Sequence, residues 1–523
     1  MKKALMAAAA GLALSIGAAE AQNLRVGVGA QITSIDPHYH NISPNNAFAS
    51  MVFDNLIETD DRARLVPRLA ESWRPVGEDV WEIKLRRGVT FHNGSPFTAE
   101  DVAFTFERIP QVVNSPGSFR TYSQGVQSVE VVDPYTLRMH TGGPFPLLPV
   151  NLAQIPILDR QTHQGASTED FNSGRVAIGT GPFRMVSHRP GDRIELARND
   201  AFWGEKAAWQ HVDYRMITND TARTAALLAG DVDIIDQVPT SDIERLRHNR
   251  DIRLSEIDSL RFIYFAMDHM RDGPSPFITD NDGRPLPRNP LKDIRVRRAL
   301  NIAIDRAAIV SRVMEGVATA TTQLMPEGAY GYVPDLVPPR ADPEQARRLL
   351  AEAGYPNGFR ITLHGPNDRY PNDARIAQAV GQMWTRAGVR TQVELAPFSS
   401  FVTRASRQEF SVFLVSWGSS SGEPSSGLRS VIATYDRQRG TGSVNRGRYS
   451  NPHFDETLAR AMRTLDDGRR EALLQEATRI AINDVGIMPT HLQRNVWAMR
   501  QGFRHTPRVD ERTRAQDVTA AAP

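Results

Sequence analysis

A serine-rich stretch, SWGSSSGEPSSG at positions 416–427, contains the first residues whose types and spacing could carry out chemistry. It includes a G-x-S-x-G pattern with Ser420 at the position of a hydrolase nucleophile. A nucleophile elbow needs a strand before the serine and a helix that begins at it. The apolar run just before the pattern supplies the strand. Gly422, Pro424 and Gly427, however, would break the first turns of the helix.

A serine hydrolase also needs an acid and a histidine, and downstream candidates stand in the usual order: Asp455, Asp466 and His491. A chain this long supplies such candidates by chance. A stray G-x-S-x-G is itself expected in roughly one chain in five to ten of this length. The sequence therefore predicts a protein that is not an enzyme and has no catalytic residues, in which Ser420 lines a binding cleft.

The chain has 523 residues and no cysteine, which excludes disulfides, thiolate metal sites and a lipid on an N-terminal cysteine. Its start, a lysine pair, an apolar run and Ala19-Glu20-Ala21, is typical of a secretory signal peptide cleaved after Ala21. The full chain has 62 Lys and Arg residues and 60 Asp and Glu residues. After cleavage these numbers would be 60 and 59, so the net charge would be close to zero. So balanced a charge attracts neither nucleic acid nor anionic lipid. We therefore predict a soluble periplasmic protein that is not a lipoprotein and has no direct membrane anchor.

The elements that position these residues alternate between strands and helices. About 500 mature residues predict two or three domains. Strands are expected at 24–28, 81–85, 232–235, 361–363 and 390–395, and helices at 98–106, 219–229, 293–314, 342–353 and 374–387. This order predicts an α/β fold with mixed sheets. We expect a long loop at 271–289 and a partly disordered tail at 506–523.

Several motifs, in order along the chain, resemble the family-5 extracellular solute-binding proteins. These proteins are the periplasmic dipeptide-, oligopeptide- and nickel-binding components of ABC importers. The motifs are LAESW at 69–73, WEIKLRRGV at 81–89, FHNG at 91–94, PFTAEDV at 96–102, GTGPF at 179–183, RNDAFW at 198–203, DIRVRRALNIAID at 293–305, ARRLLAEAG at 346–354 and GF at 358–359.

The resemblance implies a two-lobed clamshell with an additional small subdomain, in which ligand closes the lobes about a hinge. The hinge crossings are expected near 265–270 and 480–485. The implied division is a signal peptide at 1–21, lobe I at 22–60 with 178–268 and 480–523, the small subdomain of lobe I at 61–177, and lobe II at 269–479.

In peptide-binding members, a loop of the form W-G-x-D-Y-x-D-P carries an aspartate that neutralises the α-ammonium of the peptide. Alignment on Trp417 and Glu423 places Ser420 at this aspartate and Ser421 at the following aromatic residue. A buried ammonium without a counter-charge is penalised, so recognition of an ordinary peptide N-terminus is in doubt. The hydroxyls of Ser419, Ser420 and Ser421 suit hydroxyl, amide or carboxylate groups instead. Trp417 is either an aromatic wall for the ligand or a core residue, and Glu423 is the alternative acid.

Other ligand-binding candidates follow from the same resemblance. Arg369 aligns with an arginine that binds the peptide carboxylate in dipeptide-binding relatives; otherwise it is a solvated surface residue. Tyr39, His40 and Asn41 follow the first strand, where the first lobe contacts ligand. His38 and His40 would point to opposite faces of an extended chain, so we predict no metal site and no cofactor.

The sequence thus predicts the periplasmic substrate-binding component of an ABC importer. It would capture a peptide-like or small carboxylate-bearing solute between its lobes and deliver it, as a monomer, to the membrane permease. One alternative is an ordinary di- or oligopeptide carrier that uses Glu423 for the amine. The other is a periplasmic serine hydrolase that uses Ser420.

Overall fold

The computed structural model describes residues 23–367, 369–419 and 421–521, with only the backbone at Ser399. The predicted signal peptide and Ser420 both lie outside the described residues. In the part of the chain that is described, no helix combines the length and the apolar character needed to cross a membrane.

The strands of the described residues, β1 to β20 in chain order, are Asn23–Val28, Ile57–Thr59, Leu65–Pro67, Ala70–Pro75, Val80–Leu85, Ser128–Asp133, Thr136–His140, Phe183–Arg189, Arg193–Arg198, His211–Met216, Ile234–Ile235, Ile252–Met267, Ile278–Thr279, Ala318–Ala320, Arg360–Pro366, Arg390–Ala396, Val412–Gly418, Met488–Arg500, Phe503–His505 and Val518–Ala520.

The α-helices, α1 to α16, are Ser43–Val52, Ala99–Arg108, Arg120–Ser123, Leu148–Leu152, Arg160–His163, Thr168–Asn172, Asp220–Ala229, Thr240–Arg247, Ile294–Ile302, Arg306–Ala308, Pro343–Glu352, Asp373–Arg386, Phe398–Ser406, Ser425–Gly427, Pro452–Ala461 and Asp467–Asn483. Short 3₁₀ helices are Ile109–Gln111, Pro290–Lys292 and Ala515–Asp517, and π-helical turns are Ile309–Val313 and Leu428–Ile432.

One large mixed sheet runs through the molecule in the order β13-β15-β17-β12-β18-β11-β1-β10-β9-β8, with β14 beside β18 and β16 beside β15. Strand β1 is parallel to β10 and β11, and β15 is parallel to β16 and β17. The other pairs are antiparallel. The α/β class with mixed sheets is therefore confirmed. Below, lobe I denotes the side of β11, β1, β10, β9 and β8, and lobe II the side of β13, β15, β16 and β17.

Two long strands, β12 and β18, connect these sides. β12 pairs with β18 from Ile252 to Phe265 and with β17 from Arg261 to Met267. The pairing of β12 with β18 shifts register between Asp258 and Phe262. The chain thus passes between lobe I and lobe II along two adjacent strands. The backbones of β12 and β18 therefore lie at the base of the space between the lobes.

A smaller antiparallel sheet, in the order β4-β5-β7-β6, has its own apolar core. Alternating side chains of β5, Trp81, Ile83 and Leu85, are buried in it. This alternation is the sequence signal of a strand with one buried face. The following helix α2 begins, as predicted, with a capping box in which the Thr98 backbone N–H donates to Asp101 Oδ2 at 2.8 Å.

The GTGPF motif packs lobe I against the end of α1. The backbone N–H of Gly181 donates to the carbonyl of Val52 at 3.0 Å. A Cβ added at Gly179 would lie only 2.0 Å from that same carbonyl oxygen. The first glycine of the motif is therefore required by close backbone packing.

The prediction of one continuous helix at 293–314 is wrong. Helix α9 ends at Ile302, and the side chain of Asp305 then caps α10 by accepting from Ala308 N at 2.9 Å. A π-helical turn ends this segment at Val313. An aspartate inside a helical pattern has restarted the helix, because its side chain competes for backbone donors.

The prediction of a partly disordered tail at 506–523 is also wrong for residues 506–521, which the structure describes. Val509, Ala515 and Val518 are buried, and β20 pairs with β19. Arg508 and Arg514 are buried as well, in ion pairs. The prediction was based on the polar composition of this segment. It failed because the charged side chains of the segment form ion pairs inside the fold instead of facing water.

Candidate functional site

A cavity of about 630 Å³ lies where β12 and β18 pass between the lobes. Strands β1, β11 and β15 end beside it, and the residues just after each strand line it. Ligands of open α/β sheets bind at the carboxyl ends of the strands, so this position is that of a ligand site. The backbone of β18 supplies Gln493–Trp497 as the wall that both lobes share.

Three arginines, Arg261, Arg369 and Arg494, give the cavity its cationic groups. Arg494 is engaged by the protein: its Nε donates to Asp258 Oδ1 at 3.1 Å and its Nη2 to Thr319 Oγ1 at 2.8 Å. Arg369 has no carboxylate partner among the described residues. It is therefore the cavity arginine whose guanidinium is most available to an anion.

The loop before α12 fixes the position of Arg369. The carboxylate of Asp373 accepts from the backbone N–H groups of Arg369 and Tyr370, each at 3.0 Å. The guanidinium carbon lies 5.6 Å from the ring centroid of Tyr370 and 5.5 Å from that of Phe398. Such contacts with aromatic faces orient an arginine without neutralising it. The N-terminus of the 14-residue helix α12 adds attraction for an anion at this place.

The cavity acids are Asp220, Asp236 and Glu511. Asp236 is buried and satisfied by Gly29 N at 2.7 Å and Thr513 Oγ1 at 3.0 Å, and burial raises the pKa of its carboxyl. Asp220 pairs with buried Arg223 at 2.8 Å. Glu511 Oε1 lies 3.4 Å from Arg261 Nε, and both side chains are partly exposed.

Comparison with known proteins agrees with this architecture. The profile described as bacterial extracellular solute-binding proteins, family 5 (middle), matches residues 64–438. The chain belongs to this family. Proteins of family 5 bind peptides or other small solutes for ABC importers, and this chain has that function.

Relatives cover nearly the whole chain at low identity. The chain is 27% identical to heme-binding protein A of Haemophilus influenzae over 85% of this chain and 82% of that one. It is 27% identical to the glutathione-binding protein GsiB of Salmonella choleraesuis over 94% and 93%. Its fold is similar to the structure of HbpA2 from Haemophilus parasuis, with a TM-score of 0.83, 24% identity and coverage of 96% and 100%. The two-lobed periplasmic binding protein fold is thereby confirmed.

In this family-5 protein, the described residues of the serine-rich stretch 416–427, here called the serine loop, lie beside the cavity. Ser419 Oγ donates to the carbonyl of Glu423 at 3.0 Å and lies 3.2 Å from Ser421 Oγ. Trp417 is half-buried against Gly427 and is not part of the cavity wall. Ser419 and Ser421 do not line the cavity either, although Arg261 Nη1 donates to the neighbouring Ser416 Oγ at 3.2 Å.

Glu423 does not face the cavity, so the predicted alternative, in which Glu423 binds the amine of a peptide, is wrong. Its side chain is buried, one carboxylate oxygen accepts from Arg470 and the other accepts from Ser425 Oγ. Both oxygens are therefore occupied inside lobe II. A ligand ammonium would have to break a buried ion pair to reach Glu423, which is strongly unfavourable.

Tyr39, His40 and Asn41 also lie outside the cavity wall, contrary to expectation. The Asn41 Nδ2 donates to Tyr122 Oη at 3.0 Å, and the carbonyl of Tyr39 accepts from Ser115 Oγ at 2.5 Å. These residues attach the chain to α3 and to the loop before it. Helix α1, which follows them, supplies Ser43, Pro44 and Ala47 to the cavity instead.

The histidines considered for metal binding or catalysis have structural partners. Both ring nitrogens of His38 are engaged, Nε2 with the carbonyl of Pro156 at 2.8 Å and Nδ1 with Arg108 Nη1 at 3.1 Å. His491 is buried beside Thr490, and burial lowers its pKa to about 4. Among the described residues, no group of three His, Cys, Asp or Glu is placed to hold a metal ion.

Sequence reasoning found Arg369 but missed Arg261, Glu511 and Arg494. Arg494 follows His491, Leu492 and Gln493 in β18, a pattern without a recognisable motif. Glu511 was overlooked because it belongs to the tail expected to be disordered. The available signal was the cluster of three arginines and two acids at 508–514, which would be unusual in a solvated tail.

Proposed function

We propose that this protein is a monomeric periplasmic binding protein, exported by its signal peptide, that captures a small peptide-like solute bearing at least one carboxylate. The observation that carries the proposal is the guanidinium of Arg369 in the cavity between the lobes, which forms no ion pair with any carboxylate that the structure describes. A planar guanidinium binds a carboxylate through two parallel hydrogen bonds.

The dimensions and charges of the cavity support this class of solute. A volume of about 630 Å³ falls within the range of sites for small molecules and short peptides. The cavity presents cationic groups from lobe II and from the connecting strands: Arg369 in lobe II, and Arg261 and Arg494 on β12 and β18. A solute that contacts both sides binds the closed form more tightly and so drives closure.

Glutathione, the solute named for one relative, fits this description because it carries two carboxylates and one ammonium. Haem, named for another relative, also carries two carboxylates but presents a large apolar face. The polar residues of the wall, among them Gln237, Gln493 and Asn495, match the peptide better than a porphyrin.

Native mass spectrometry of the protein purified from a periplasmic extract, followed by thermal-shift titration, tests the proposal. The titrants are glutathione, trialanine and haem. A ligand at about 100 times its Kd should stabilise the protein by about 2.7 kcal/mol. We expect glutathione to give the largest shift, and Arg369→Gln to weaken its binding about tenfold, by loss of a charge-assisted contact.

Arg375→Gln is the matched control. Arg375 is an exposed arginine in helix α12, which follows the loop of Arg369; it pairs with Glu315 at 3.1 Å and does not line the cavity. It should leave the affinity unchanged. Equal affinities of the Arg369→Gln variant and the wild type, or a response to haem alone, would overturn the proposal.

A further inference from the structure

Arg261 and Glu511 form an ion pair whose place in the cavity suggests a role in ligand recognition. Nε of Arg261 and Oε1 of Glu511 are 3.4 Å apart, longer than the usual 2.7–2.9 Å of a charge-assisted hydrogen bond. The side chains are 23% and 32% exposed, so solvent or ligand reaches both. Among the described residues, no donor makes a hydrogen bond to the Glu511 carboxylate. The pair thus retains free hydrogen-bonding capacity on both members.

The backbone holds the two residues opposite each other. The N–H of Leu260 donates to the carbonyl of Val509 at 3.1 Å, and the carbonyl of Leu260 accepts from Ser419 N at 3.0 Å. Leu260 therefore connects the C-terminal segment to the serine loop. Arg261 and Glu511, which follow on the two joined segments, are brought to the cavity together.

Glu511 lines the cavity from an unusual backbone conformation. Its φ is 65°, in the left-handed region, and its N–H closes a turn onto the carbonyl of Arg508. Residues on both sides are held inside: Arg508 pairs with Asp510 at 2.8 Å, and Arg512 Nη2 donates to Gln154 at 3.0 Å. A left-handed non-glycine residue persists only where its surroundings fix it, and such residues concentrate at ligand sites.

We propose that Arg261 and Glu511 together recognise an α-amino-acid end of the solute, with its α-carboxylate on Arg261 and its α-ammonium on Glu511. This inference rests on the proposed function and specifies which end of the solute each group binds. Arg369 then binds a second carboxylate from lobe II. Glu511 thereby supplies the acid that Ser420 and Glu423 do not provide.

Charge complementarity explains why a zwitterion is favoured over a simple anion or amine. A lone carboxylate at Arg261 would also face Glu511, and a lone ammonium at Glu511 would face Arg261. Like charges placed together in a partly desolvated site are penalised. A group that carries both charges on one carbon satisfies both side chains at once.

Isothermal titration calorimetry with three probes tests this assignment. The probes are glutathione, glutaryl-cysteinylglycine, which lacks only the α-ammonium, and 4-aminobutanoyl-cysteinylglycine, which lacks only the α-carboxylate. The wild type should bind each analogue at least about tenfold more weakly than glutathione. Glu511→Gln should reduce the discrimination against the first analogue to less than about threefold and preserve that against the second. Arg261→Gln should show the reverse pattern.

Glu409→Gln is the matched control, because Glu409 pairs with Arg404 at 2.9 Å at similar exposure but lies outside the cavity. It should reproduce the wild-type pattern. If Glu511→Gln weakens all three probes equally, Glu511 only positions Arg261 and the assignment is overturned. The assignment also fails if the wild type binds glutathione and glutaryl-cysteinylglycine equally well. Failure of the proposed function is distinct, because then no peptide shifts the melting temperature and Arg369→Gln has no effect.

Discussion

Replacement of Arg470 by methionine should destabilise the protein strongly without altering its ligand specificity. Arg470 and Glu423 are 4% and 3% exposed and form an ion pair within lobe II. The variant would leave the Glu423 carboxylate buried with only the hydroxyl of Ser425 as a partner. Methionine keeps much of the apolar stem but removes the guanidinium, and with it the contact of the guanidinium carbon 5.6 Å from the ring centroid of Tyr330.

The expected loss of unfolding free energy is about 3–5 kcal/mol, the usual effect of removing one member of a buried ion pair. Most of this loss is the desolvation of the remaining carboxylate. The double variant Glu423→Gln/Arg470→Met should therefore recover much of the stability, to within about 1–2 kcal/mol of the wild type, because no unpaired charge stays buried.

Urea unfolding, followed by tryptophan fluorescence, measures these free energies. Arg479→Met is the control, since Arg479 belongs to the same helix α16 but pairs with Asp335 at the surface, at 37% and 65% exposure. Exposed pairs contribute about 0–1 kcal/mol, so this variant should remain close to the wild type. If Arg470→Met costs no more than Arg479→Met, or if it removes discrimination between glutathione and its analogues, Glu423 is not the buried structural acid described above.

Two further substitutions test the C-terminal segment and the GTGPF motif. Although burial opposes it, the guanidinium groups of Arg508 and Arg512 hold the pKa of Asp510 well below its usual range. The Asp510 carboxylate stabilises the folded state at every pH above about 3.9, the pKa of an aspartate in the unfolded chain. This stabilisation is lost as the pH falls toward the lower pKa that Asp510 has in the folded state. Asp510→Asn should cost about 3 kcal/mol at pH 7 and progressively less below about pH 4, measured by urea unfolding across pH; a deficit that does not change with pH would contradict this. Gly179→Ala should cost about 1–3 kcal/mol because its Cβ would lie 2.0 Å from a backbone oxygen, whereas Gly502→Ala, with no atom within 4 Å, should cost less than about 1 kcal/mol by the same measurement.

The sequence by itself determined the features that depend on local patterns. Strand alternation gave β1 and β5, and the capping residues Thr98 and Gly230 set the start of α2 and the end of α7. The ordered motifs established the family because they cover most of the chain. Arg369 was proposed from the resemblance of its segment to that of dipeptide-binding relatives. In each of these cases the deciding interactions lie within a few residues in the chain or within a short recognisable motif.

Only the tertiary structure decided which charged groups face the cavity. Glu423 and Glu511 are both glutamates in polar, loop-like segments, and the sequence favoured Glu423 because its loop resembles the one that carries the acid in peptide-binding relatives. Glu423 is buried because Arg470, from a later helix, meets it, and Glu511 is presented because the buried arginines around it fix the tail. Whether a charge is paired or free depends on partners that are distant in the chain. Such pairings are fixed when the sheets and lobes assemble, and local sequence patterns carry little information about them.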